Sequence, residues 1–186
     1  MEFRKLKAEE IDCRVAQIDK NWCTLLLYKD ARVDMNILDE TVGSMNWQKR
    51  YLRDNANCVV GIWDDKKEQW IEKEDTGTES FSEAEKGLAS DSFKRACFNW
   101  GIGRELYTAP TIFIYPRKDM GAKTKEDEDS KEFFERNGKY ATKTRFYVDY
   151  IDYDGNNISD LVIRDHKGNS RFEQLTPKTQ VEFNKQ

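Results

Sequence analysis

SEAEKGLASDSFKRACFNWG, residues 82–101, is the stretch on which the fold turns. Ser82 with Glu85 has the form of a capping box, in which hydroxyl and carboxylate satisfy backbone N–H groups that a helix start leaves open. Gly101 after Trp100 supplies the stop. With 3.6 residues per turn, Ala89, Phe93, Ala96, Cys97 and Trp100 fall on one apolar stripe that has to be buried against another element. The opposite side carries Asp91, Lys94, Arg95 and Phe98, with Phe98 between the two cations. The spacing predicts that this ring points away from the core.

Upstream lies the surface on which such a helix can dock. Trp47 to Arg53 alternates, with Trp47, Lys49, Tyr51 and Arg53 on one side. Turns at Asp54–Asn57 and Asp64–Glu68 separate it from strands at Cys58–Trp63 and Gln69–Asp75, giving an antiparallel meander. Before it, Ala31 to Val42 switches to helical spacing, with Val33, Ile37, Leu38 and Thr41 on a common face and Gly43 at the end. Ile11–Ile18 alternates as a strand, and the apolar run Trp22–Tyr28 reads as a buried one.

Beyond the helix, Tyr107–Tyr115 reads as a loop around Pro110 plus a short strand. Residues 117–132 are dense in charge, and Lys123–Glu132 reads as a solvated surface loop. Arg145–Tyr153 and Ile158–Arg164 form a hairpin about Asp154-Gly155-Asn156, with a second turn at Asp165–Asn169. The fold class is α+β: an antiparallel β-meander packed on a long amphipathic helix, a β-β-β-α core, with a C-terminal β-hairpin arm. The expected division is a core at 1–116, a charged loop region at 117–144, and the arm at 145–186, packed on the core.

The 186 residues are 38% hydrophobic and 35% charged, the balance of a charge-coated globule. A formal net charge of −4 runs against the basic character usual for nucleic-acid binders, so any such role has to rest on local charge. Aromatics make up 12%, five of them Trp, which suits a core, a subunit interface or a stacking surface. Cys13, Cys23, Cys58 and Cys97 show no metal-binding spacing and read as reduced buried thiols. A single His, His166, argues against a zinc or His-based catalytic centre. No signal peptide or membrane span is evident, so a cytoplasmic location without membrane association is expected.

A large ring flanked by cations suits a stacked nucleobase with phosphates on either side, and equally suits packing by another segment or subunit. Residue spacing leaves that choice open. The stretch 82–101 resembles the hallmark helix of the Rad fifty-two/Rad twenty-two type single-strand annealing protein family, which includes phage recombinases. The matching features are Lys86, Asp91, Lys94-Arg95-Ala96 and Trp100-Gly101. RVDMNILDETVGSMNW, residues 32–47, is similar to the family's preceding helix, and Asp75–Ser80, DTGTES, to its loop before the long helix.

The resemblance covers about residues 31–110. It implies single-stranded DNA binding and annealing of complementary strands in recombination, by a homo-oligomer forming a ring or helical filament. No enzymatic step, nucleotide or other cofactor is implied. A single-strand-binding protein is a possible further partner, and the location is the bacterial host's cytoplasm if the chain is phage-encoded. Lys86, Lys94 and Arg95 would contact the phosphate backbone. Phe98 stands where eukaryotic members have a basic residue, so stacking would replace a charge there. Arg32, Lys49, Arg50, Arg53 and Arg104 are secondary candidates for DNA contact, each as readily a solvated or ion-paired surface group.

Two rival readings remain. One is a metal-dependent nuclease using Asp65-x-Lys67, although that signature falls in a hairpin turn. The other is an oligomeric assembly module whose aromatics serve subunit contacts alone.

Overall fold

The computed structural model describes residues 1–78, 84–117 and 131–183, without the side chains of 84–86. The fold is mixed, with antiparallel sheets and three α-helices among these residues. The chain forms two compact units, Met1–Leu6 with Lys29–Arg104, and Lys7–Tyr28 with Glu105–Gln186.

In the first unit, α1 (Ala31–Val42) starts at Asp30, whose carboxylate accepts from the Arg32 N–H, and ends at Gly43. Its buried face is Asp34, Ile37 and Leu38. Thr41, expected on that face, is exposed in the last turn of the helix, two turns beyond the buried Asp34. Strands β3 (Trp47–Leu52), β4 (Asn57–Asp64) and β5 (Gln69–Thr76) form a three-stranded antiparallel sheet in the order β3-β4-β5. Arg53 was expected to share the Lys49 face, but the strand stops at Leu52 and Arg53 opens the turn with φ +53°.

The next helix, α2 (Ala84–Trp100), lies against this sheet. Its stripe is buried at Phe93, Ala96 and Cys97, facing Cys58, Val60 and Ile62 of β4, all nearly inaccessible to solvent. Trp100 donates its indole N–H to the Val60 carbonyl at 3.0 Å, and Trp47 stacks on Phe93 at 6.2 Å between centroids. The Ser82 cap and most of the charged stretch 117–132 lie outside the described residues.

A close approach fixes how the chain passes from β5 to α2. A Cβ on Gly77 would stand 2.6 Å from the Ser92 backbone N and 2.7 Å from the Leu88 carbonyl O. Only glycine lets the two backbones meet there. Thr78 then donates its N–H to Asp91 at 2.9 Å. Asp91 therefore ties the connection down.

The second unit is built on a six-stranded antiparallel sheet. In chain order its strands are β1 (Asp12–Ile18), β2 (Cys23–Tyr28), β6 (Ile112–Ile114), β9 (Phe146–Asp154), β10 (Asn157–Asp165) and β11 (Ser170–Gln174). Their spatial order is β11-β10-β9-β1-β2-β6. A hairpin of β7 (Phe134–Arg136) and β8 (Lys139–Ala141) and a short helix, α3 (Pro177–Phe183), complete it.

Asp12 of β1 pairs with Tyr147 of β9, so the N-terminal strands and the C-terminal hairpin share one sheet. The expected division into a core at 1–116 and an arm at 145–186 gives way to this pairing. The physical reason is that the edge of the β1–β2 hairpin is covered by β9 instead of standing open.

One face of the sheet buries Cys23, Leu25, Leu27, Ile112, Ile114, Phe146, Val148, Leu161 and Ile163. At its rim Arg171, Glu132 and Asp165 form a buried charge cluster. The guanidinium bonds Glu132 at 2.5 Å and Asp165 at 3.3 Å, and Glu132 also accepts from Thr144 and the Arg117 N–H.

Candidate nucleic-acid interface

The cations of α2 follow from its docking. With Phe93 and Cys97 turned inward, Lys94 falls toward α1 and Arg95 toward β5. Lys94 stands near enough to Asp30 and Asp34 for its charge to favour both carboxylates. Among the described residues it forms no ion pair. Arg32, exposed at the start of α1, pairs with Asp30 at 2.9 Å and holds that carboxyl below its usual range. Lys94 and Arg32 thus share one carboxylate neighbour at the junction of the two helices.

Beneath them is a buried ion pair. Lys29 and Asp34 are 1% and 0% exposed, and the ammonium reaches the two carboxylate oxygens at 2.5 and 2.6 Å. Burial pushes the Asp34 carboxyl up to about 6, against the opposing pull of Lys29 and the weaker pull of Lys94. The same ammonium sits 4.4 Å from the centre of the Phe98 ring. Phe98 is therefore half-buried, with a ring face turned to Lys29.

That corrects the expectation of an outward ring between two cations. The helical projection placed Phe98 off the apolar stripe, but the chain leading into α1 brings Lys29 over it. Gly103 makes room for this. A Cβ there would lie 2.2 Å from Lys29 Cε, and its φ of +70° is a second reason for glycine.

Arg95 is engaged as well. Its guanidinium lies 3.3 Å from Asp75 of β5, with 40% of the side chain exposed. Asn99 donates to the same carboxylate at 3.3 Å. Arg104 donates to the Phe98 carbonyl at 2.9 and 2.7 Å and to the Asn99 carbonyl at 3.1 Å. Lys73 of β5 also reaches the Asn99 carbonyl, at 2.7 Å, and lies 4.5 Å from the Trp100 ring. These groups satisfy the carbonyls at the end of α2, where the helix dipole favours positive charge. Arg104 thus stabilises the helix end in place of standing clear as a DNA contact.

Residues 62–125 match the family model described as the Rad52/22 family double-strand break repair protein. This segment is similar to the Rad52/22 family. It runs from the end of β4 through β5 and α2 and past β6, about a third of the chain. No curated protein and no solved structure matches the chain. The family is one of double-strand break repair, which supports a role in DNA repair and recombination.

The nine candidate residues do not line one groove. The Lys86 side chain lies outside the described residues. Of the candidates inside the Rad52/22 match, Lys94 is near α1, Arg95 is held by β5, Phe98 is under Lys29 and Arg104 is on the end of α2. Lys49 lies on the helix-facing side of β3, its ammonium 4.3 Å from the Phe93 ring. Arg50 projects from the opposite side and pairs with Glu72 at 2.7 Å. Arg53 is exposed in the β3–β4 turn. The structure therefore brings together Arg32 and Lys94, and leaves Arg50 on another surface.

Sequence reasoning missed Lys29 and Asp34. Asp34 did carry a signal, since it falls three and four residues before Ile37 and Leu38, on the helix's core face. The rival nuclease signature is absorbed locally. Asp65 accepts from the Trp63 indole at 2.9 Å, and Asp64 accepts from the Lys66 and Lys67 N–H groups. Among the described residues no helix is long and apolar enough to cross a membrane.

Proposed function

We propose that this chain binds single-stranded DNA and anneals complementary strands in recombination, as a ring or filament of identical subunits, without nucleotide hydrolysis or other catalysis. The three strands β3 to β5 with α2 are its annealing core. The observation that carries this reading is the Rad52/22 match across α2, the helix presenting Lys94 and Arg95. Phosphate contacts from those two residues and Arg32 hold one strand with its bases open to a complement. Base pairing drives the reaction, and the protein lowers the electrostatic cost of alignment.

A strand-annealing assay with Lys94→Ala, beside a mass measurement of the assembly, tests this. The variant should anneal several-fold more slowly with the assembly unchanged. Three phosphate contacts per protomer correspond to a slope of log affinity against log salt of about −2, since single strands give about −0.7 per contact. Salt-independent binding, equal annealing by the variant, or magnesium-dependent cleavage of labelled DNA would remove the proposal.

A further inference from the structure

The antiparallel order of the six-stranded sheet sends its connections to two ends. One end gathers the turn at 19–22 between β1 and β2, the passage from β6 through β7–β8 to β9, and the turn at 166–169 between β10 and β11. Residues 131–145 hold five cations and two carboxylates, and residues 164–173 hold three against two. Residues 19–22 hold one of each, and residues 117–130 hold four against five. With Asp149, the partner of Arg164, also counted, this end keeps an excess of positive charge on a chain of net charge −4.

Burial sorts these charges further. Glu132 and Asp165 are 4% and 2% exposed and turn inward onto Arg171. There they also anchor the loops. Glu132 accepts from the Thr144 hydroxyl at 3.0 Å, and Asp165 accepts from the Lys167 N–H at 2.9 Å. His166 donates its N–H to the Arg145 carbonyl at 2.9 Å, which sets the two loops side by side. Lys143 lies 5.4 Å from the centre of the Phe134 ring, at the foot of the β7–β8 hairpin. Outward stand Arg136, Lys139, Lys143, Arg145 and Lys167, all exposed and in no ion pair among the described residues. The exposed carboxylates beside them are Glu135 and Glu173, and Glu173 accepts from the Ser170 hydroxyl at 2.5 Å. Like charges held together repel, so a scaffold that turns carboxylates inward and cations outward is one that an external anion stabilises.

We propose that this end of the sheet holds the phosphate backbone of single-stranded DNA, through Lys143, Arg145 and Lys167. It rests on the annealing reading above and extends it to residues outside the matched segment 62–125. Such contacts grip phosphates without reading bases. The opposite end of the sheet complements this one poorly in a second copy. Its exposed carboxylates Glu9, Asp152, Asp154 and Glu182 stand with exposed Lys7 and Lys178. A polyanion answers the cations better.

The test is fluorescence anisotropy of the full-length chain on an oligothymidylate, and on an abasic oligonucleotide of equal length, across a range of salt. Three contacts here, added to the three of the first unit, should bring the slope of log affinity against log salt to about −4. The triple change Lys143→Gln, Arg145→Gln and Lys167→Gln should return it to about −2 on both oligonucleotides. Lys143→Arg, Arg145→Lys and Lys167→Arg together keep the charges and should keep the steep slope. If this second triple loses as much as the first, charge is not what acts and the proposal is overturned. If Lys94→Ala weakens binding while the glutamine triple keeps affinity and slope, this end is not a DNA contact and the annealing reading stands. If the glutamine triple binds as before but the assembly mass falls, the end joins copies of the chain and the proposal is overturned. If the unaltered chain binds neither oligonucleotide, both readings fall together.

Discussion

Replacing Lys29 with Met removes the cation from a carboxylate that is wholly buried, and the structure says what this costs and at what pH. Asp34 is 0% exposed and takes both of its short hydrogen bonds from the ammonium. Breaking a buried pair from one side typically costs about 3–5 kcal/mol, because the remaining charge is uncompensated. For a chain of this length about 2–4 °C is lost per kcal/mol, so the melting temperature should fall by about 6–20 °C.

The cost should depend on pH in a stated direction. Burial already pushes Asp34 up to about 6, and loss of Lys29 pushes it further. The folded variant then binds more protons than the unfolded chain from about pH 4, the unfolded carboxyl's value, up to the raised value. Its stability therefore falls as pH rises through that window, and acidification recovers part of the loss. Thermal denaturation followed by circular dichroism at pH 5 and pH 8, at one protein concentration, measures this. The double change Lys29→Met with Asp34→Leu should come close to the unaltered protein. A single variant losing less than about 1 kcal/mol, or a loss equal at both pH values, would refute the reasoning.

Arg171→Met strands Glu132 and Asp165 and should destabilise the second unit by about 3–5 kcal/mol, read from denaturant midpoints. Burial alone would raise Asp165, but hydrogen bonds from Asn169 and Lys167 and from Arg171 outweigh it and hold the carboxyl low. Its contribution is then complete above about pH 4 and lost as pH falls through the lowered value, the reverse of Lys29→Met, as an acid titration of near-ultraviolet dichroism should show. Gly77→Ala drives a methyl into the backbone of α2 and should cost about 1–3 kcal/mol in urea denaturation. Arg95→Ala should change the melting midpoint little, by less than about 1 kcal/mol, since its pair with Asp75 is part-exposed.

Where periodicity decides, the sequence was legible. The stripe of α2 and the alternation of β3, β4 and β5 follow from side-chain direction in regular backbone, and their ends from turn residues. The Asn137-Gly138 turn of β7–β8 and the Thr176-Pro177 start of α3 carried local signals of the same kind, and were passed over. The pairing of β1 with β9 had none, because 135 positions separate Asp12 from Tyr147 and nothing local encodes that contact. The candidate site failed for a different reason. A helical wheel gives the angle between Phe98 and Phe93 but not what arrives from elsewhere, and Lys29 closes an apolar strand as though it were its first solvated residue.

Sorting the cations by burial separates scaffold from surface more sharply than their place on the wheel. Lys29 cannot leave Asp34 without stranding a charge inside the first unit, so no phosphate can recruit it. Arg104 and Lys73 hold the end of α2, where both donate to the Asn99 carbonyl and Arg104 also donates to the Phe98 carbonyl. Arg95 differs. Its contact with Asp75 is 3.3 Å and lies where water reaches both groups, so the pair contributes about 0–1 kcal/mol. Exchanging that carboxylate for a phosphate oxygen restores the same kind of charged hydrogen bond, with Asn99 still donating to Asp75. An arginine already paired is thus compatible with a DNA contact, provided the pair is weak and exposed. Lys94 needs no such exchange.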